Sequence, residues 1–191
     1  MRNLILLALL LAACTPQAAP TPLPSAQVST SAATPSPTLF FEAATYRDPQ
    51  AGIELDYPAS WILLDGETQS RGSYVQIASW DPGPNGISSI PEGGSVLQIT
   101  IYLWEPTGDL DARVNIRRNN FVDSGNQILA EEELSLNGER AVRFRLLATD
   151  GSQALFYLLA LGERYLELSG TGDLLTLDAA MLSLRIAPRT Q

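Results

Sequence analysis

The sequence predicts an α+β fold, an antiparallel β-sheet flanked by helices on both faces (an α/β/α sandwich). Three observations carry this expectation. Asn137-Gly138, Asp150-Gly151 and Gly162-Glu163 recur at nearly equal intervals, and Gly paired with Asn or Asp tolerates the positive φ that tight hairpins require, so the second half reads as an up-and-down meander. Between two of these turns, Ala154-Leu155-Phe156-Tyr157-Leu158-Leu159-Ala160-Leu161 shows no polar alternation, the pattern of a strand buried on both faces. Such a strand needs cover on each side, and the two segments of helical period, 107–124 and 173–184, are the available covers.

Taken in order, the 191-residue chain starts with Arg2 and an unbroken apolar run from Leu4 to Ala13. Ten helical residues reach about 15 Å, against a hydrocarbon core of about 30 Å, so the run is too short to span a bilayer and residues 1–13 read as a signal peptide. It ends in Leu11-Ala12-Ala13-Cys14. This stretch resembles the bacterial lipoprotein lipobox, which implies that Cys14, the only cysteine, is acylated and becomes the first residue after cleavage. A lone cysteine has no internal disulfide partner, which sets it apart from an ordinary exported thiol. Two or three acyl chains, at about 0.8 kcal/mol per buried CH₂, anchor durably where one does not. The expected location is the extracytoplasmic face of the cell membrane, held by lipid such as palmitate.

Residues 14–38 follow as a tether. From Thr15 to Thr38 every residue except Gln17, Leu23, Gln27 and Val28 is Pro, Thr, Ser or Ala, and none is charged. No core can form from this composition, and six prolines between Pro16 and Pro37 favour extended polyproline II geometry. The reach lies between about 25 Å as a coil and about 75 Å fully extended.

The globular domain is expected at 39–188, with 189–191 as a tail. Tyr46 to Tyr57 reads as a hairpin bent at Asp48-Pro49 and Gly52, with Ile53, Leu55 and Tyr57 on one face; Pro58-Ala59-Ser60-Trp61 then breaks the strand. Tyr74–Trp80 and Val96–Trp104 are further strand candidates, separated by a Gly-, Pro- and Ser-rich surface loop. In the first helical segment Leu110, Val114, Arg117 and Phe121 share a face, and Asp109 is placed to cap it. A two-residue turn at Asn137-Gly138 pairs Glu132 with Arg143 but sets Glu131 and Glu133 against Phe144 and Val142, so either the first strand is short or a bulge intervenes. The second helix carries Leu174, Leu177, Met181 and Leu184 on one stripe.

Charge removes whole classes of function. The chain has 21 acids and 12 bases, no His, and no Lys, so every base is Arg. Outside Arg2, which lies in the leader, the chain carries −10, the wrong sign for a nucleic-acid binder. A Ser-His-Asp or Cys-His triad, a His-bound metal, a Schiff-base Lys and a P-loop Lys all lack their residues. No catalytic residue, cofactor or metal is therefore expected.

Smaller signals have competing explanations. Gly170-Thr171-Gly172-Asp173 superficially suits a dinucleotide site, yet the third Gly position is Leu175 and Asp173 would oppose a phosphate, so a helix N-cap is the better reading. Asp109 and Asp111 are spaced as in calcium loops without the later ligands. Glu131-Glu132-Glu133 could supply a glycosidase-like carboxylate pair only with a second convergent acid. Arg113, Arg117 and Arg118 could grip an anion, or pair with the domain's own acids. Trp61, Trp80 and Trp104 could line a groove for an apolar or sugar ligand, or pack in the core.

Tyr46-Arg47-Asp48-Pro49 through Ile53, then Asp56-Tyr57-Pro58-Ala59-Ser60-Trp61, and the ending Gly162-Glu163-Arg164-Tyr165 with a final helix and Ser183-Leu184-Arg185, resemble the PsbP-like domains of lipoproteins and photosystem II extrinsic subunits. The resemblance spans most of residues 42–186. It implies an antiparallel α/β/α sandwich and a non-catalytic binding or assembly role at a membrane. The metal sites of some photosystem members use His, which this chain lacks. The expected function is a membrane-anchored binding or accessory module with a protein partner at the membrane surface and no nucleic acid. A carrier of a small apolar ligand, a photosystem-type extrinsic subunit and a carboxylate-only envelope hydrolase are the alternatives.

Overall fold

A computed structural model of the chain describes residues 39–64, 68–69, 72–102, 109–162 and 164–186. The expected signal peptide and tether, with Cys14, and also Trp104 and Glu163 lie outside the described residues. The elements run β1 (Ala43–Asp48), β2 (Ile53–Pro58), β3 (Ile62–Leu64), β4 (Thr68–Gln69), β5 (Gly72–Ala78), β6 (Val96–Tyr102), α1 (Leu110–Asp123), β7 (Gln127–Leu136), β8 (Glu139–Leu147), β9 (Gln153–Leu161), β10 (Arg164–Thr171), α2 (Leu174–Leu182) and β11 (Arg185–Ile186). All pairings are antiparallel: a three-stranded sheet β1-β2-β11, and an eight-stranded sheet ordered β3-β5-β6-β10-β9-β8-β7, with β4 on β5.

β9 divides the interior. Its residues from Leu155 to Leu159 are all buried. Leu155, Tyr157 and Leu159 join one core with Leu97, Ile99 and Ile101 of β6, Leu177, Ala180 and Met181 of α2, and Ile53, Leu55 and Tyr57 of β2. Phe156 and Leu158 join a second core with Leu110 and Val114 of α1 and Val142, Phe144 and Leu146 of β8. Each fully buried Leu, Ile or Phe contributes about 1.5–3 kcal/mol of transfer free energy.

One expectation needs correction. The fold is mostly antiparallel β-structure with two helices, more β-rich than an α/β/α sandwich, because the β1–β2 hairpin leaves the main sheet and packs beside α2 as a layer of its own. Its third strand is only Arg185 and Ile186, too short to announce itself in a sequence pattern. The junction is polar and specific. Asp56 of β2 accepts two bonds from the Arg185 guanidinium (2.6 and 2.8 Å), and its backbone N–H donates to Ser183 Oγ at 2.8 Å.

The meander keeps the expected register. Asn137 and Gly138 take φ of 51° and 87° and pair Glu132 with Arg143. A bulge is present, between Ile128 and Ala130, but it precedes the acids, so Glu131 and Glu133 do face Phe144 and Val142. Arginines resolve the mismatch instead: Arg118 of α1 bonds Glu131 at 2.9 Å, and Arg140 bonds Glu133 at 2.8 Å. This is workable because β7 is an edge strand whose side chains can lean out over the margin.

Asp109 caps α1 by accepting from Asp111 N at 3.1 Å, and Asp173 caps α2 by accepting from Leu175 N and Thr176 N. The Gly170-Thr171-Gly172 run serves packing. A Cβ on Gly170 would lie 2.7 Å from Leu177 Cδ2, and one on Gly172, whose φ is +121°, would lie 2.5 Å from the Gly94 carbonyl oxygen. Gly170→Ala must move buried side-chain tips and is expected to cost about 1–3 kcal/mol in urea unfolding. Gly172→Ala meets backbone and adopts a strained φ, so it should cost more; the reverse order would contradict this packing. The Arg185 hydrogen bonds hold the Asp56 carboxyl below its ordinary range. A depressed folded-state pKa stabilises above the unfolded value, about 3.9, and that contribution fades as pH falls through the folded value. Asp56→Asn should therefore destabilise at neutral pH and converge on the wild type in acid unfolding as pH falls through that depressed folded-state value.

Candidate functional site

The alternation of β6 builds the site. Leu97, Ile99 and Ile101 enter the first core, so Gln98, Thr100 and Tyr102 face the opposite side of the sheet. Strand register extends this into cross-strand rows. Gln76, Gln98, Ser169 and Phe156 lie side by side on β5, β6, β10 and β9, and Tyr74, Thr100 and Glu167 form the next row. These rows line an open groove of about 610 Å³, walled on one side by Arg117 of α1.

The innermost charged group is Glu167, whose residue exposure is only 5%. Arg117 clamps it with both prongs, Nε to Oε1 at 2.7 Å and Nη2 to Oε2 at 2.6 Å. Arg117 Nη2 also donates to the Tyr102 hydroxyl at 2.8 Å, which donates to Glu167 Oε2 at 3.1 Å. Arg113, one helical turn earlier, brings Nε to 4.0 Å from Glu167 Oε1 and lies over the rings of Tyr102 and Tyr165. Burial opposes charge on Arg117, but the Glu167 carboxylate outweighs it and raises its pKa. The Tyr102 hydroxyl is pushed up by burial and then by the Glu167 charge.

Above this floor the described lining is neutral. Gln76 Nε2 donates to Gln98 Oε1, and Gln98 Nε2 donates to Thr100 Oγ1, both at 3.2 Å. Each amide thereby keeps one N–H, and among the described residues Gln76 Oε1 and the Ser169 hydroxyl have no side-chain hydrogen bond within the protein. Tyr74 and Phe156 supply aromatic surface at the two sides.

A second polar cluster lies on the other face. Asp178 of α2 accepts two bonds from Arg143 Nη1 at 3.0 Å and one from the Tyr157 hydroxyl, while Arg143 Nη2 reaches Glu132. Burial first, and then Asp178, push the Tyr157 hydroxyl above its ordinary range. These bonds pin α2 to β8 and β9.

The other residues singled out in the sequence fall in separate places. Glu131 and Glu133 face the α1 side and Glu132 the α2 side, each paired with its own arginine: Arg118, Arg140 and Arg143. The trio therefore does not converge, and Arg140 holds Glu133 below the ordinary carboxylate range. Asp111 bonds Arg140 at 2.8 Å and Asp109 caps α1. Among the described residues no group of three or more Cys, Asp and Glu side chains is arranged to hold a metal ion. Arg113, Arg117 and Arg118 pair with the domain's own acids. Trp61 packs partly buried against the first core, and among the described residues the aromatics lining the groove are Tyr74, Tyr102 and Phe156. The groove itself escapes motif reading, although two signals pointed to it: Leu97-Gln98-Ile99-Thr100-Ile101-Tyr102 alternates cleanly on a central strand, and Glu167 is a lone acid within Tyr165-Leu166-Glu167-Leu168.

No family model matches the chain, and no curated protein matches it. Solved structures do. A crystal structure from Bacteroides thetaiotaomicron is similar at 15% identity and a TM-score of 0.48, over 77% of this chain and 49% of that one, so the chain spans about half its length. PA94 of Pseudomonas aeruginosa, a protein of unknown function, is similar at 15% identity and a TM-score of 0.46, over 78% of this chain and 99% of that one. The solution structure of the cyanobacterial PsbP, CyanoP, from Synechocystis is similar at 15% identity and a TM-score of 0.42, over 75% and 92%. These likenesses concern fold alone.

The clamp on Glu167 makes a measurable demand. Arg117→Met leaves a buried carboxylate without its bidentate partner, and equilibrium unfolding should register a loss on the order of 3 kcal/mol. Removing both charges in Arg117→Met/Glu167→Met should recover most of that loss. A double variant as unstable as the single one would show that the ion pair is not what holds this region.

Proposed function

We propose that this chain is a lipid-anchored, non-catalytic binding or accessory module with a PsbP-like domain, displayed on the extracytoplasmic face of a membrane and engaging a protein partner there. The observation that carries the non-catalytic reading is how the acids are disposed. Glu167 and Glu131 through Glu133 are committed to arginines, whereas the accessible groove presents amides and hydroxyls. General acid–base chemistry needs carboxyls with pKa values poised near the working pH, and hydrolysis of a glycosidic bond needs two that converge. An apolar carrier would need an enclosed apolar pocket, and the groove is open, with amides, hydroxyls and an ion pair beside its aromatic surface. The anchoring half of the proposal stands on Leu11-Ala12-Ala13-Cys14 and the uncharged tether after it. Among the described residues no helix is long and apolar enough to cross a membrane.

The full chain, produced in its native host, tests both halves. Radiolabelled palmitate should enter the wild type and sediment with membranes, and Cys14→Ser should lose the label and move to the soluble extracytoplasmic fraction. Affinity capture from detergent-solubilised native membranes, read by mass spectrometry, should retain one stoichiometric membrane complex. Equal sedimentation of the Cys14→Ser chain would overturn the anchor, and capture of nothing above background would overturn the accessory role.

A further inference from the structure

We propose that the groove over β5, β6 and β10 is a binding site for a neutral, polyhydroxylated ligand of the oligosaccharide class. This gives the binding module a second, small-ligand activity and does not depend on the membrane partner.

The first argument is charge. The chain carries 33 ionisable Asp, Glu and Arg side chains, 21 acids and 12 arginines. Yet among the described residues that line the groove there is one acid and one arginine, bonded to each other at 2.6 Å. A solvated sheet face in a domain this acidic would be expected to carry charge, and here the exposed polar groups are amide and hydroxyl. Such a lining offers an anion no free cation and a cation no free carboxylate.

Geometry supplies the second argument. Gln76, Gln98 and Ser169 lie in one register row across three adjacent strands, flanked by Tyr74 and Phe156. Neighbouring strands are about 4.8 Å apart, so the row sets its amide and hydroxyl groups at that interval across the sheet and can engage several hydroxyls of one extended ligand at once. The Gln76 to Gln98 to Thr100 relay orients both amides before a ligand arrives, which lowers the ordering cost of binding. The half-buried Tyr74 ring offers an apolar face to the C–H surface of a pyranose. A volume of about 610 Å³ lies within the usual range for small-ligand sites, about 300–1,000 Å³.

Backbone pairing separates this ligand from an extended peptide. Strand addition requires a free sheet edge, and β5, β6 and β10 each pair on both sides. Recognition in the groove must therefore come from side chains. The amides also disfavour a lipid tail, which would leave their N–H groups unpaired.

The test is isothermal titration of the full chain, held in a zwitterionic detergent without a sugar headgroup, with maltohexaose, cellohexaose and chitohexaose. Oligogalacturonate serves as the anionic control. At least one neutral hexasaccharide should bind, with affinity unchanged between about 0.05 and about 0.5 M salt because no charge pairing is involved. Gln98→Leu should weaken that binding about tenfold or more, by removing the relay and leaving ligand groups unpaired, while the unfolding midpoint stays near that of the wild type. Ser169→Ala, a smaller change, should weaken it measurably and is decisive if Gln98→Leu fails to fold. The proposal is overturned if none of the three neutral oligosaccharides binds, if the folded variants bind as tightly as the wild type, or if oligogalacturonate binds in preference. Failure here leaves membrane capture of a protein partner unaffected, so the two readings are separable.

Discussion

β9 imposes the constraint on which the rest of the structure depends. Five consecutive buried residues, Leu155 to Leu159, must lose water on both faces of one strand, so a layer has to cover each side. Among the described residues, α2 and β2 share a core with Leu155, Tyr157 and Leu159, and α1 shares the other core with Phe156 and Leu158. The main sheet extends over seven neighbouring strands, about 29 Å across, whereas a helix with its side chains is about 10 Å wide. A single helix centred on β7 to β9 therefore cannot cover the whole face. The strip over β5, β6 and β10 that no described helix covers follows from this width mismatch, and polar residues occupy it because hydrophobic ones there would remain wet.

Arginine softens the boundary between covered and open face. Arg113 and Arg117 extend from α1 beyond the helix backbone to reach Glu167 on β10, and their stems continue the apolar cover that Leu110 and Val114 begin. Using Arg for every base suits this task. A planar guanidinium can bond a buried carboxylate with two parallel N–H groups while stacking on an aromatic ring, and a Lys ammonium cannot. Arg117 does both, bonding Glu167 and lying 5.8 Å from the Phe156 ring centroid.

Much of the main sheet was legible in the sequence because its signals are local. The Asn137-Gly138 turn set the Glu132–Arg143 register, Asp109 and Asp173 marked two helix starts, and the unalternating run at Ala154–Leu161 marked the doubly buried strand. What escaped depends on contacts between distant positions. The departure of β1 and β2 into a separate sheet is stabilised by Arg185, 129 residues from Asp56, and β3, β4 and β11 are three residues or fewer. The charge mismatch at Glu131 and Glu133 was visible, but its resolution was not, since Arg118 comes from a helix whose position over the sheet no spacing rule fixes. Glu167 was hidden in the same way. Arg117 on the apolar stripe of α1 and a lone acid on a buried strand are two halves of one observation, and only the packed fold joins them.

Neutrality of the groove bears on what an acidic domain can select. Charged ligands feel the field of the whole molecule: anions are repelled from every approach, and cations are attracted diffusely to many surface acids as well as to any one site. A neutral ligand feels neither effect, so its recognition rests on short-range hydrogen bonds and shape alone. For such a ligand an ionised side chain in the groove is a liability, because it holds its own water tightly and must be stripped of it on binding. Closing Glu167 against Arg117 beneath the Gln76–Gln98–Ser169 row removes that liability. It keeps the charges needed to brace α1 on the sheet, while the other described polar side chains of the lining are amides and hydroxyls, whose hydration is readily exchanged for ligand hydroxyls. The same ion pair thus fixes the helix and neutralises the floor, and this is why the open strip reads as a recognition surface and not as leftover sheet.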